Sequence, residues 1–178
     1  IVPVFIDDTA YGRSVGKISL WWRNKSLAPL ADDLKTRGLE LIYRKGNGLE
    51  IMRALVTETD ATTVFWNRQY EKDTIARDTE LKSWLKNNNR QGEGHVGNLF
   101  FDPWQIMNRK SGSHFKVFSP FWKACLEAGL PCDLSAPPAR ITGPEKSPRS
   151  LPLPAADTPP ATDMETLWQP GERGALKM

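Results

Sequence analysis

The stretch "IVPVFIDD" (residues 1–8) sets the reading of the fold. Residues 1–6 form a short, continuous apolar run, the pattern of a strand buried on both faces, and such strands belong to parallel sheets covered by helices. Asp7 and Asp8 stop the run, and "TAYGRSVG" (9–16) reads as a loop. The chain begins without a methionine and already in a strand, which reads as a truncated start.

Downstream the pattern alternates. From Ile18 to about Arg37, Leu20, Leu27, Leu30 and Leu34 recur at helical spacing, with Gly38 as the stop. "LELIYRKG" (39–46) alternates as a strand. Asn47 followed by Glu50 resembles a helix start, with Leu49, Met52, Leu55 and Val56 on one face. "TTVFWN" (62–67) is a third strand, β-branched and aromatic. Asp73 can cap a helix through Ile75, Leu81, Trp84 and Leu85 to the polar "KNNN" (86–89). Strands and helices taking turns argue for an α/β fold, a Rossmann-like parallel sheet with flanking helices. "NRQGEGHVGN" (89–98) stands where the next strand belongs but reads poorly as one, with three glycines and only Val96 as an aliphatic.

A change of regime follows. In "FKVFSPFWKACLEAG" (115–129), Pro120 removes a helix hydrogen bond and biases Ser119 toward extended backbone. The segment is therefore expected as a proline-broken turn, its aromatics burying area like a seam between domains. Ten of the fourteen prolines lie between Pro131 and Pro170. With little aliphatic content, 131–162 reads as a mobile Pro-rich linker. The expected domains are thus 1–130 (α/β), 131–162 (linker) and 163–178, the first turn of something further.

Composition bounds the function. At 178 residues, 39% hydrophobic and 25% charged, the chain has one good core and reads as a soluble globular protein. A net charge of +3 with dispersed Lys and Arg gives little support for nucleic-acid binding. Two cysteines, Cys125 and Cys132, read as reduced thiols of a cytoplasmic protein. No apolar run approaches the roughly 18 residues of a membrane span. There is no GxGxxG, and "GRSVGK" (12–17) and "KGNGLE" (45–50) lack P-loop spacing. His95 and His114 have no cysteine at ligand spacing, so no metal site is expected, and too few histidines are present for a nucleophile–base pair. Trp21, Trp22, Trp66, Trp104 and Trp122 could be stacking platforms but read more simply as core or interface residues.

Open parallel sheets bind ligands beyond the carboxyl ends of their strands. Two such ends are polar: Asp7–Asp8, and Asn67–Arg68–Gln69 with Glu71 beyond. The same residues also read as solvated turn residues and a cap.

Taken together, "SLWWRNKSLAPL" (19–30), "VFWNRQYEKDTIARD" (64–78), "LFFDPWQIM" (99–107), "FKVFSPFWKACLEAG" and "WQPGERGAL" (168–176) resemble, in order and spacing, the amino-terminal part of the DNA photolyase and cryptochrome family, the bacterial cyclobutane-dimer photolyases above all. The resemblance implies a Rossmann-like antenna domain, a long linker, and a helical domain holding FAD, the electron-transfer tryptophans and the lesion pocket. Light excites the reduced flavin, directly or through an antenna chromophore, and the flavin passes an electron that splits the pyrimidine dimer. It further implies a central first strand upstream of Ile1, and places the flavin site beyond these residues. No catalytic residue carries over, and the fragment alone is expected to be inactive in a lyase reaction. Antenna-chromophore residues carried over are Asp7, Asp8, Gln69 and Glu71; Trp21 and Trp22 fall in the antenna domain. Leu20 stands where deazaflavin-binding members have a basic residue, and Asp73–Thr74 where folate-binding members have an amide–acid pair. The antenna chromophore stays open between deazaflavin, methenyltetrahydrofolate and flavin. Implied partners are damaged DNA in the full-length family, with little direct binding by this fragment, no membrane, and a monomeric state. The alternatives are a non-enzymatic Rossmann-like chromophore- or nucleotide-binding module, a cryptochrome-type photoreceptor fragment, or a remnant without function.

Overall fold

A computed structural model describes residues 1–10, 15–109, 111–129, 136–155 and 164–176. Cys132 and parts of the Pro-rich linker lie outside the described residues. The chain divides into two compact units, Ile1–Ala61 with Pro138–Met178, and Thr62–Pro137.

In the first unit, β1 (Val4–Asp8) leads through α1 (Lys17–Thr36) to β2 (Ile42–Gly46) and α2 (Gly48–Thr59). β1 and β2 pair in parallel, Val4 opposite Ile42 and Asp8 opposite Gly46. The core gathers Trp21 and Leu27 of α1, Ile42 and Tyr43 of β2, and Leu49, Leu55 and Val56 of α2. α2 starts where the sequence marks it: Asn47 Oδ1 accepts the amides of Leu49 (3.0 Å) and Glu50 (3.3 Å), satisfying two of the four free donors of the first turn. α1 is continuous across Pro29.

β1 departs from expectation. None of its five residues is buried, although the apolar run predicts burial on both faces. Its only strand partner among the described residues is β2. The Ile42 amide bonds Pro3 O (2.9 Å) and the Thr9 amide bonds Gly46 O (3.0 Å), so odd-numbered residues serve the ladder while Val4, Ile6 and Asp8 turn their backbone groups to the other edge.

Within the Pro-rich segment, the described residues 138–155 strap onto this unit. Arg37 Nη1 donates to Pro138 O (2.7 Å), Ile141 N to Arg37 O (2.9 Å), the Ile1 ammonium to Thr142 O (2.8 Å) and Arg149 N to Glu58 Oε1 (3.1 Å). Tyr43 N donates to Ser150 Oγ (2.9 Å) while Tyr43 O accepts from Leu151 N (2.9 Å). The strap covers the outer edge of β2, and Pro152 and Pro154, which have no amide hydrogen, keep it from continuing as a strand. Two short helical turns, α5 (Met164–Leu167) and α6 (Glu172–Ala175), follow.

In the second unit, β3 (Thr63–Asn67) pairs in parallel with β4 (Gln91–His95), and α3 (Lys72–Asn87) connects them. β4 falls inside the stretch that reads poorly as a strand, and its glycines explain why it works. A Cβ on Gly92 would lie 2.7 Å from Leu85 Cδ1 and 3.2 Å from the Trp66 ring; one on Gly94 would lie 3.0 Å from Arg68 Cγ. Glycine at alternate positions makes room for the large side chains of α3 and β3. The indole of Trp66 donates to Asp78 Oδ2 of α3 (2.9 Å). A second correction concerns α4 (Phe118–Ala128), a continuous helix rather than a broken turn. Pro120 is its third residue, within the first turn, where amides have no intrahelical partner and proline costs nothing.

Candidate functional site

Asp7 and Asp8 end β1 in different roles. Asp7 is 14% exposed at its side chain and sits among cations: Arg23 of α1 donates from Nη1 to Oδ1 (2.7 Å) and from Nη2 to Oδ2 (3.3 Å), and Lys45 Nζ lies 3.7 Å from Oδ2. The Tyr43 hydroxyl also donates to Oδ2, at 3.3 Å. Burial, with the Asp7 charge and hydrogen bond added, raises the Tyr43 phenol above its usual pKa, against the opposing pull of Arg23. The Arg23 guanidinium lies over the Phe5 ring at 5.8 Å, and Phe5 stacks on Tyr43. Asp8 works on the backbone. Its Oδ1 accepts from Ala10 N (3.0 Å) and Gly48 N (3.1 Å), tying β1 to the start of α2.

In the second unit, Gln69 and Glu71 are exposed between β3 and α3, with the Glu71 carbonyl accepting from Thr74 Oγ1 (2.9 Å). Beside them is a cluster that reading the sequence did not assemble. Asp102, 4% exposed, accepts from Arg68 Nη1 (2.7 Å) and from the Tyr70 hydroxyl (2.5 Å), and its own amide donates to Gln105 Oε1 (2.7 Å). Trp104 faces both partners, its ring 5.7 Å from the Arg68 guanidinium and 6.1 Å from Tyr70. The hydrogen bond to Asp102, then burial, raise the Tyr70 phenol above its usual range. The available signal was the pairing of "NRQY" with an acid between aromatics in "FFDPW", thirty-four residues on from Arg68.

The same unit carries a cleft of about 680 Å³, lined by Phe100, Phe101, Ile106, Phe115, Trp122 and Cys125 among others. Phe118 stacks on Trp122 at 6.2 Å, and Phe115 meets Phe121 edge-on. Much of this surface is open, Phe118 being 70% and Phe100 67% exposed. Of the tryptophans read as core or interface residues, Trp21 is core, whereas Trp22, Trp104 and Trp122 are exposed. Among the described residues no His, Cys, Asp and Glu group could hold a metal ion, and no helix is long and apolar enough to cross a membrane.

The DNA photolyase family model matches residues 1–142. The chain belongs to the DNA photolyase family. A deoxyribodipyrimidine photo-lyase of Agrobacterium fabrum is 34% identical over 99% of this chain and 37% of its own length, and cryptochrome-2 of Arabidopsis thaliana is 31% identical over 71% of this chain and 21% of its own. The solved structure of a class III photolyase from Agrobacterium tumefaciens superposes with a TM-score of 0.84 at 34% identity, covering 99% of this chain and 37% of that one. An archaeal photolyase from Sulfolobus tokodaii, solved with two FAD molecules, shares the fold over 72% of this chain and 29% of its own, at a TM-score of 0.58 and 18% identity. The chain thus spans little more than a third of the bacterial photolyase it matches. The parallel strands and flanking helices match those of the class III photolyase structure.

Proposed function

We propose that this chain forms the antenna-chromophore part of a light-driven deoxyribodipyrimidine photolyase that repairs cyclobutane pyrimidine dimers. The observation that carries this is the 34% identity along nearly the whole chain to one third of a bacterial photolyase, together with an α/β fold whose strand ends are polar. A chromophore bound here would absorb light and pass the excitation on to the flavin. The residues that would hold it are Asp7, Asp8, Gln69 and Glu71. Each pair ends a strand of its own unit, Asp7 and Asp8 after β1 and Gln69 and Glu71 after β3, with carboxylate or amide groups of the kind that bond ring nitrogens and tail groups. Deazaflavin, methenyltetrahydrofolate and flavin are the candidates. FAD, damaged DNA and the lyase reaction belong to the longer protein, with a strand preceding β1 at its open edge and a helical domain after residue 163. In that protein the exposed aromatics of α4 would pack as the seam between domains. A cytoplasmic monomer is the expected setting. The identity to cryptochrome-2 supports a second reading, a photoreceptor fragment with the same chromophore site.

The test is a thermal melt followed by tryptophan fluorescence, with each of the three chromophores in turn. A ligand at about 100 times its Kd adds about 2.7 kcal/mol to the state that binds it, a shift of several degrees. One chromophore should raise the midpoint, and Glu71→Ala should abolish that rise while leaving the unliganded melt in place. If none of the three moves the transition, the antenna reading is wrong.

A further inference from the structure

Asp7 is connected to the Pro-rich strap by two separate routes, both within the first unit. Ser150 and Leu151 hold the backbone of Tyr43 from both sides, accepting from its N–H and donating to its C=O at 2.9 Å each, and the Tyr43 hydroxyl donates to Asp7 Oδ2. Farther along, Ala155 O accepts from Asn24 Nδ2 (3.2 Å); Asn24 Oδ1 accepts from Arg23 Nε (3.3 Å); and Arg23 bonds both oxygens of Asp7. The strap thus holds the backbone of Tyr43 directly and reaches Arg23 through Asn24, and Tyr43 and Arg23 are the two donors that fix the orientation of one carboxylate. The remaining charged group at that carboxylate, Lys45, is 60% exposed and 3.7 Å away, too loose to orient it alone.

We propose that Tyr43 and the Asn24–Arg23 pair are positioning residues through which strap residues 150–155 set the geometry, and hence the ligand affinity, of the Asp7 site. The proposal deepens the antenna reading and rests on it for the identity of the ligand. Its consequence is regulatory: whatever pulls on the chain after Ala155 alters the grip on Asp7. A linker that merely spans two domains would have no reason to bond both sides of a residue that itself contacts the candidate site.

Three variants loosen the strap without touching Asp7. Ser150→Ala deletes the acceptor for Tyr43 N–H, Leu151→Pro deletes the donor to Tyr43 O, and Asn24→Ala cuts the second route. Two readouts are taken on each. The first is titration of Tyr43 by tyrosinate absorbance, assigned by its loss in Tyr43→Phe. Loosening the strap should bring the phenol pKa down toward its ordinary value in Ser150→Ala and Leu151→Pro. The second is affinity for methenyltetrahydrofolate, deazaflavin and flavin, expected to fall about fivefold per broken route, the size of one lost hydrogen bond. Leu151→Pro combined with Tyr43→Phe should weaken binding no more than Tyr43→Phe alone, because both cut the same route. A Tyr43 titration unmoved by Ser150→Ala and Leu151→Pro in folded protein overturns the proposal, as do affinity losses that simply add. If no chromophore binds even the parent chain, the antenna reading fails, while a Tyr43 titration that still moves with the strap supports the coupling to Asp7.

Discussion

Asp102 carries more of the second unit than its place in a loop implies. Its buried carboxylate is the shared acceptor for Arg68 and Tyr70, and an apolar replacement would leave unpaired a guanidinium that is one-third exposed. Asp102→Ala should cost about 2 kcal/mol in urea unfolding, below the usual figure for a broken buried pair because water reaches Arg68. The same variant should return the Tyr70 phenol toward its ordinary pKa. The sign of the linkage follows from the direction of that shift. Tyr70 holds its proton more tightly folded than unfolded, so its contribution is fully present below the unfolded value near 10 and is lost as pH rises through the folded value. Stability measured against pH above about 10 should therefore fall more gently once Asp102 is gone. At this scale the sequence marked polar strand ends correctly, but Asp7's cage of Arg23 and Tyr43 was not legible, because those residues lie 16 and 36 positions away.

Elements were legible wherever a local rule decides them. The helices α1, α2 and α3 and the Asn47 cap depend on neighbours within a few residues, and the structure has them there. α3, however, begins one residue before Asp73, at Lys72 with Glu71 as its N-cap, so Asp73 sits in the first turn and does not cap it. β4 was not legible, because its strand character is imposed from outside: Leu85 and Trp66 pack against Gly92, and Arg68 against Gly94. Gly92→Val should destabilise the chain by about 2 kcal/mol through overpacking against Leu85, a side chain with no exposed surface, even though valine is the better strand former. Equilibrium unfolding in urea checks this, and a stabilised variant would mean that β4 is held by propensity alone. α4 was misread for a related reason. Proline breaks a helix interior but not a first turn, and which of these Pro120 occupies depends on where the helix begins, at Phe118.

At the scale of the molecule, the chain spans 37% of the length of the Agrobacterium fabrum photolyase it matches and has an α/β fold. Illuminating these 178 residues with added reduced flavin and a thymine-dimer oligonucleotide should give no recovery of pyrimidine absorbance. Dimer splitting under those conditions would place catalysis within this stretch and overturn the antenna assignment. The exposed aromatics of α4, and a β1 whose only strand partner among the described residues is β2, fit the same picture, apolar surface and backbone groups of a kind that folded domains ordinarily cover.

By itself the sequence determined the order of strands and helices from β1 to α3, the parallel α/β class and the family, since periodicity, caps and motif spacing are properties of neighbours along the chain. Only the tertiary structure decided what a distant contact governs: that the Pro-rich segment straps onto β2, that Asp8 caps a helix forty residues away, and that Asp7 and Asp102 each gather donors from separate elements. A carboxylate's partner is chosen by position in space, and the chain has to fold before that position exists.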